Sequence, residues 1–159
     1  MKKILVTRKL IDSSEELAKK LFDVKLNKED KILSKEELIN ASEGCDGILS
    51  SLTEKFDSSL ILSLSKKIKI ISNFAVGFGN IDIEAAKKKK IVVTNTPDVL
   101  TDATAEIAIL ILLGAARRAK EGMQWANKKN WKWAANFLMG KQLTGARLGI
   151  LGMGRIGRA

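Results

Sequence analysis

Five short apolar segments recur through the first hundred residues, and this regular spacing constrains the fold more than any other feature. Each is three or four residues long, and helical patterns separate them. Strands that alternate with helices predict a parallel sheet covered by helices on its faces. We therefore predict an α/β fold that opens with a small doubly wound parallel sheet. The predicted strands are residues 4–6, 24–26, 47–50, 68–71 and 91–93.

Polar residues that can accept a hydrogen bond from a free backbone N–H precede each helical pattern. Ser34 and Glu37 have the spacing of a capping box, in which hydroxyl and carboxylate satisfy one N–H each. Asp57 and Asp82 are predicted to cap the next two helices, and the 12–14 segment the first.

The pattern changes after Pro97, which makes residues 1–97 and 98–159 the predicted domains. Residues 98–120 predict one long helix, capped by Asp98 or Thr101. It is apolar almost all round, so we expect it to be buried between two domains or two subunits. Residues 122–140 are less regular and rich in tryptophan, and residues 147–151 predict a new strand.

A glycine fingerprint, GxGxxG, follows directly on that last predicted strand. The first glycine allows a tight turn, the second lets the backbone approach a pyrophosphate, and the third lets the coming helix pack close to the strand. Free N–H groups at the helix start can then bind the phosphates. The pattern predicts a dinucleotide site at Gly152, Gly154 and Gly157.

A second glycine loop, at residues 74–82, follows the fourth predicted strand. Open parallel sheets bind ligands at the carboxyl ends of their strands. Gly77 and Gly79 would expose backbone N–H groups to an anion such as a carboxylate. A plain turn before the helix capped by Asp82 explains the same residues equally well. Residues 94–106, between the two predicted domains, are a candidate hinge.

Composition excludes several kinds of site. With no histidine, the chain supplies no imidazole base or metal ligand, and its single cysteine allows neither an internal disulfide nor a thiolate zinc site, so no metal is predicted. The net charge is +10. Its lysines are dispersed and lack interleaved aromatic residues, which predicts a solvated surface rather than a nucleic-acid interface. No segment has the length of a membrane span or a signal peptide, which predicts a cytoplasmic protein.

Three motifs in this order resemble the D-isomer-specific 2-hydroxyacid dehydrogenases, closest to the glyoxylate/hydroxypyruvate reductase branch. Residues 75–82 resemble the substrate loop of that branch, residues 94–106 its interdomain crossover and residues 148–157 its nucleotide loop. The resemblance implies a flavodoxin-like substrate domain followed by a truncated Rossmann dinucleotide-binding domain. It implies hydride transfer between NAD or NADP and a small 2-oxo or 2-hydroxy acid such as glyoxylate or hydroxypyruvate.

The resemblance also assigns residues. It implies that the backbone of Val76 and Gly77 holds the substrate carboxylate, with Ser51 and Leu52 walling the same pocket. It implies that Thr104 contacts the nicotinamide end of the cofactor. The region 98–140 resembles the family's dimer-forming part, so a homodimer is expected, in which Trp133 approaches the neighbouring subunit's pocket. The implied pyrophosphate contacts are Gly152, Gly154, Arg155, Ile156 and Gly157.

The chain departs from the family in two respects. Gly79 stands where family members usually carry an acidic residue. Family enzymes are also about twice as long, and their catalytic arginine, glutamate and histidine lie in the half that is missing here. We therefore expect no catalytic residue in this chain and no dehydrogenase turnover by the chain alone. The alternative is a non-catalytic nucleotide-sensing or dimerisation module of the same fold.

Overall fold

The computed structural model describes all 159 residues and divides into two compact units, Met1–Pro97 and Asp98–Ala159. Strands and helices alternate through the first unit. Its elements are β1 (Lys3–Val6), α1 (Asp12–Leu21), β2 (Asp23–Leu26), α2 (Lys35–Ser42), β3 (Gly47–Ser50), α3 (Ser58–Ser63), β4 (Ile70–Asn73), α4 (Ile83–Lys88) and β5 (Val92–Thr94).

The five strands form one sheet in the order β2-β1-β3-β4-β5, and every neighbouring pair is parallel. This confirms the predicted α/β fold with a parallel sheet. The last two strands begin later than predicted. Ile68 instead donates its N–H to Ser65 in a turn, and Ile70 pairs with Val92 at the start of the ladder.

One face of the sheet carries the hydrophobic core. Leu5, Ile48 and Ile71 lie in register on adjacent strands and are at most 2% exposed. Helices α2, α3 and α4 cover this row with buried aliphatic side chains. The residues that precede this row point to the other face of the sheet. That face is less covered, because Ile70 and Val92 remain exposed. Helix α1 buries none of its residues.

Most of the predicted helix starts in this unit are confirmed. Ser34 and Glu37 form the full capping box of α2. The carboxylates of Asp57 and Asp82 accept N–H bonds at the starts of α3 and α4. The predicted cap at residues 12–14 is wrong. Helix α1 begins after Ile11 without a side-chain cap, because Asp12 and both serines already lie inside the helix.

The second unit is helical but not as predicted. Its helices are α5 (Thr101–Ala116), α6 (Ala119–Ala126) and α7 (Arg155–Arg158). The single helix expected over 98–120 is broken at Arg118, which adopts a left-handed φ of 53°. Neither Asp98 nor Thr101 caps α5; its N-cap is Leu100, which has no side-chain bond to give.

The strand predicted at 147–151 is not formed. A strand needs a neighbour to satisfy its N–H and C=O groups, and these residues pair with no other strand. The expected burial of α5 is also not observed in this chain: Leu110 is 63% and Ile111 64% exposed. No helix is both long and apolar enough to cross a membrane.

Candidate functional site

Polar side chains gather where β3 and β4 end. The turn formed by residues 51–54 follows β3, and the loop formed by residues 76–80 comes shortly after β4. Because β3 and β4 are adjacent and parallel, these two connections leave the same edge of the sheet. We call these two connections the 51–54 turn and the 76–80 loop.

The carbonyl groups at the start of the 76–80 loop are held by asparagine side chains. Asn95, just after β5, donates from Nδ2 to the carbonyl oxygen of Val76 at 2.8 Å. Asn73, the last residue of β4, donates from Nδ2 to the carbonyl oxygen of Gly77 at 3.0 Å. The N–H of Thr96 donates to the preceding carbonyl, that of Ala75, at 2.9 Å. The peptide planes of this loop are therefore fixed through their oxygen sides.

The N–H groups of the same loop are free. None of the five amides from Val76 to Asn80 donates to another group of the chain. Consecutive free N–H groups beside fixed carbonyls are what backbone anion sites require. Gly77 and Gly79 leave space around the loop, because a Cβ added at either would meet no atom within 4 Å. The loop is thus a candidate receptor for a small anion.

The 51–54 turn is folded around a buried carboxylate. Glu54 is 1% exposed and accepts bonds from the amide and the hydroxyl of Ser51 at 3.2 and 3.3 Å. The Thr53 hydroxyl donates to the other oxygen of Glu54 at 2.9 Å. The Ser51 amide already donates to Glu54, so it is not available to donate to a ligand. Only the other atoms of Ser51 can contact one. Leu52 projects from the turn and is 62% exposed.

A cleft of about 230 Å³ opens next to this turn, lined by Ser50, Ser51, Phe74 and the 8–10 segment after β1. Arg8 is not free to bind an anion there. Its guanidinium donates to Asp30 at 2.8 Å and to the Thr53 hydroxyl at 2.9 Å. The Arg8 bond, aided by the Lys9 N–H, lowers the pKa of Asp30 to about 2. Arg8 therefore braces the turn.

The predicted nucleotide residues lie at the end of the second unit. Gly152 has a φ of 103°, which favours glycine. A Cβ added at Gly157 would meet the Gly152 carbonyl oxygen at 2.0 Å, so only glycine fits. These features agree with the roles of the first and third glycines. Gly154 immediately precedes α7, and Ile156 lies within it. The guanidinium of Arg155 pairs with Asp98 at 2.7 Å.

Two further predicted residues have defined surroundings. Thr104 lies in the first turn of α5, and its hydroxyl donates to the Leu100 carbonyl oxygen at 2.8 Å. Trp133 is 78% exposed, whereas the other two tryptophans both contact Phe137.

The sequence interpretation missed the residues that shape the 76–80 loop, namely Asn73, Asn80, Asn95 and Glu54. One signal was available: Asn73 ends a strand and Asn95 follows one, at the sheet edge where ligands bind. Nothing in the sequence indicated that Glu54 is buried.

Comparison with known proteins shows the family of the chain. Residues 4–145 match the family model described as D-isomer specific 2-hydroxyacid dehydrogenase, catalytic domain. The chain belongs to this family. The glyoxylate reductase of Thermococcus kodakarensis is 36% identical over 99% of this chain, and the glycerate dehydrogenase of Hyphomicrobium methylovorum is 39% identical over 99%. The chain spans 48% and 49% of the length of these two relatives.

Solved structures show the same relationship. A D-isomer specific 2-hydroxyacid dehydrogenase from Polaromonas sp., described as NAD-binding, has a TM-score of 0.91 and 37% identity, with 99% of this chain and 50% of that chain covered. An NADPH-dependent glyoxylate/hydroxypyruvate reductase from Sinorhizobium meliloti, in complex with NADP and malonate, has a TM-score of 0.81 and 30% identity. There the match covers 99% of this chain and 48% of the other.

Proposed function

We propose that this chain is the substrate-binding part, with the start of the nucleotide-binding part, of an NAD(P)-dependent 2-hydroxyacid dehydrogenase. The whole enzyme would transfer a hydride between nicotinamide and a small 2-oxo or 2-hydroxy acid such as glyoxylate or hydroxypyruvate. The run of free N–H groups in the 76–80 loop carries the proposal. The names of the relatives support the substrate class.

The 76–80 loop would bind the substrate carboxylate. A carboxylate offers two acceptor oxygens and can take bonds from two adjacent amides. The carbonyl oxygens of Val76 and Gly77 would repel a carboxylate. The Asn95 and Asn73 side chains donate to them, so both oxygens are already hydrogen-bonded. Ser51 and Leu52 would close one side of the pocket, with the exposed Leu52 side chain excluding water.

The two units would have different tasks. Residues 1–97, with their strand order 2-1-3-4-5, would form a flavodoxin-like substrate domain. Residues 98–159 would supply the interdomain and dimer-forming segment and the start of a Rossmann domain. A homodimer through residues 98–140 would cover the apolar side chains that α5 leaves exposed.

The glycine turn at residues 152–157 fits a dinucleotide, since Gly152 and Gly157 have the conformation and the close packing that such a turn needs. The cofactor supplies or accepts the hydride when bound. Gly152, Gly154, Arg155, Ile156 and Gly157 would contact its pyrophosphate, and Thr104 would lie near its nicotinamide end. The similar structures include NAD-binding and NADP-bound proteins, so either cofactor is proposed.

The chain by itself is proposed to bind but not to turn over. It has no histidine to exchange a proton with the substrate oxygen. The arginine, glutamate and histidine of the family's active site would come from the rest of a whole enzyme. The cytoplasmic location stays a prediction from the sequence.

Amide resonances of the isotope-labelled chain test the proposal. Oxalate, a stable analogue of a 2-oxo acid, should shift the Val76 and Gly77 signals in a saturable way, and equal ionic strength of chloride should not. NADH or NADPH should shift signals of the 152–157 turn. Neither cofactor should be oxidised with glyoxylate or hydroxypyruvate. Oxalate shifts confined to other residues would contradict the proposed substrate site, and turnover would contradict the assignment of the proton-transfer group to residues outside this chain.

A further inference from the structure

A connected polar network lies beneath the 76–80 loop. Asn73 is fully buried and Glu54 is 1% exposed, and the half-buried Asn80 stands between them. Burying polar groups costs free energy unless they are hydrogen-bonded. An apolar core at this place would avoid that cost. The hydrogen-bond partners of these side chains show which segments they connect.

The two asparagine side chains pair with each other. Nδ2 of Asn73 donates to Oδ1 of Asn80 at 3.1 Å, and Nδ2 of Asn80 approaches Oδ1 of Asn73 at 3.5 Å. Asn73 also accepts from the Ser50 hydroxyl at 3.2 Å and donates to the Gly77 carbonyl oxygen. Asn73 therefore connects the ends of β3 and β4 to the middle of the loop.

Asn80 connects the loop to the 51–54 turn. Its Nδ2 donates to the carbonyl oxygens of Ser51 and Glu54, both at 3.0 Å. Carbonyl oxygens can only accept, so this position needs a donor, and a carboxylate would repel both oxygens. The Glu54 carboxylate closes the turn from the other side through Ser51 and Thr53. The loop and the turn are thus fastened to each other at their carbonyl sides.

We propose that Asn73 and Asn80 are positioning residues, which hold the 76–80 loop and the 51–54 turn so that the free amides of Val76 and Gly77 converge on the substrate carboxylate. This inference rests on the proposed function. Neither side chain is required to touch the substrate. Their contribution is to fix the donors before the ligand arrives, which reduces the ordering cost of binding.

Oxalate titration of the full chain tests the proposal in Asn80→Ala and Asn80→Asp variants. Each removes two hydrogen bonds to the turn, so oxalate affinity should fall about tenfold in both, with core amide signals unchanged. If only Asn80→Asp weakens binding, the added negative charge is the cause and the positioning role is overturned.

Asn27→Asp is the matched control. The Asn27 side chain also donates to two backbone carbonyls, those of Thr7 and Lys31, at 2.8 and 2.7 Å. It makes no contact with the 76–80 loop, so oxalate affinity should change less than about twofold. An equal loss in Asn27→Asp would mean that general destabilisation explains the result, and would overturn the proposal.

A ligand-free measurement separates this inference from the proposed function. The backbone amide of Gly77 should be rigid on the picosecond to nanosecond timescale in the unsubstituted chain and clearly more mobile in Asn73→Ala and Asn80→Ala. A loop that stays rigid in a folded variant overturns the positioning role even where oxalate binds. Failure of oxalate to bind a chain whose loop loosens on substitution counts against the proposed function alone. If Asn73→Ala does not fold, the measurement on Asn80→Ala decides, because Asn80 is less buried.

Discussion

The two units of the chain bury very different shares of their apolar side chains. Every buried residue of the chain lies in Met1–Pro97, and none lies in Asp98–Ala159. Yet the second unit contains the most apolar helix, α5, in which Leu110 and Ile111 are largely exposed. The first unit closes its own core, whereas the second carries apolar surface without enough neighbours to cover it.

This difference shows which structural features a segment can form by itself. A helix satisfies its backbone N–H and C=O groups internally, so α5 needs no neighbouring segment to complete its backbone hydrogen bonds. A strand depends on a neighbour, and residues 147–151 remain without one. The match to the family model extends from residue 4 to 145, across both units. Both units therefore belong to the same family, and they differ in how many packing partners their apolar side chains have.

The largest expected effect is on the core of the first unit. Leu60→Ala in α3 removes a side chain with 0% exposure and should lower the free energy of unfolding by about 2–5 kcal/mol. Leu110→Ala in α5 is the matched change at 63% exposure and, at dilutions where the chain is monomeric, should stay within about 0.5 kcal/mol. Urea unfolding followed by amide signals of each unit measures both. Equal losses would show that α5 is buried in solution, and would break the comparison.

The glycine turn is one place where the second unit is closely packed. Gly157→Ala places a Cβ 2.0 Å from the Gly152 carbonyl oxygen, so the turn must open, at a cost of about 1–3 kcal/mol to this unit. Gly154→Ala meets no atom within 4 Å and is the control. The amide signal of Gly152 should move strongly in the first variant and little in the second. Similar shifts in both would mean that close packing does not shape this turn.

Local features of the fold were predictable from the sequence because they depend on neighbouring residues. The capping box of Ser34 and Glu37 needs only residues three apart, and it formed. The five strands were recognisable from short apolar segments between helical patterns. The break at Arg118 was not predictable, since arginine favours helices and its left-handed backbone depends on the surrounding unit.

The candidate site was predictable only in outline. Glycines after a strand indicated that the 76–80 loop could expose N–H groups, but a plain turn explained them as well. Which carbonyls of the loop are hydrogen-bonded depends on Asn73 and Asn95, and the attachment of the loop to the 51–54 turn depends on Asn80. Their partners are up to 29 residues away in the sequence, so no local pattern reveals them.

A smaller effect is expected at the start of α2. Ser34→Ala removes the hydroxyl that accepts the Glu37 N–H at 3.2 Å, and should cost the first unit about 1 kcal/mol. Ser13→Ala is the control, because Ser13 lies inside α1 and caps nothing there. Thermal or urea unfolding of the first unit compares the two. A loss at Ser13 as large as that at Ser34 would restore the cap that the sequence predicted for α1.

The smallest expected effect concerns one ion pair in each unit. Arg8 lowers the pKa of Asp30 from its ordinary value of 3.8 to about 2, and Arg118 lowers the pKa of Glu121. A carboxyl with a lowered pKa stabilises the fold above its unfolded value, and this contribution is lost as pH falls through the folded value. Asp30→Asn should therefore make the stability of the first unit less steep between about pH 4 and 2. Asparagine can still accept the Lys9 N–H through its one oxygen, so the change removes the charge and one of the two Arg8 hydrogen bonds. Glu121→Gln is the control. Glu121 pairs with Arg118, three residues away in the second unit, so the pH dependence of the first unit's stability should stay unchanged. An unchanged slope in Asp30→Asn would show that Arg8 is not paired with Asp30 in solution.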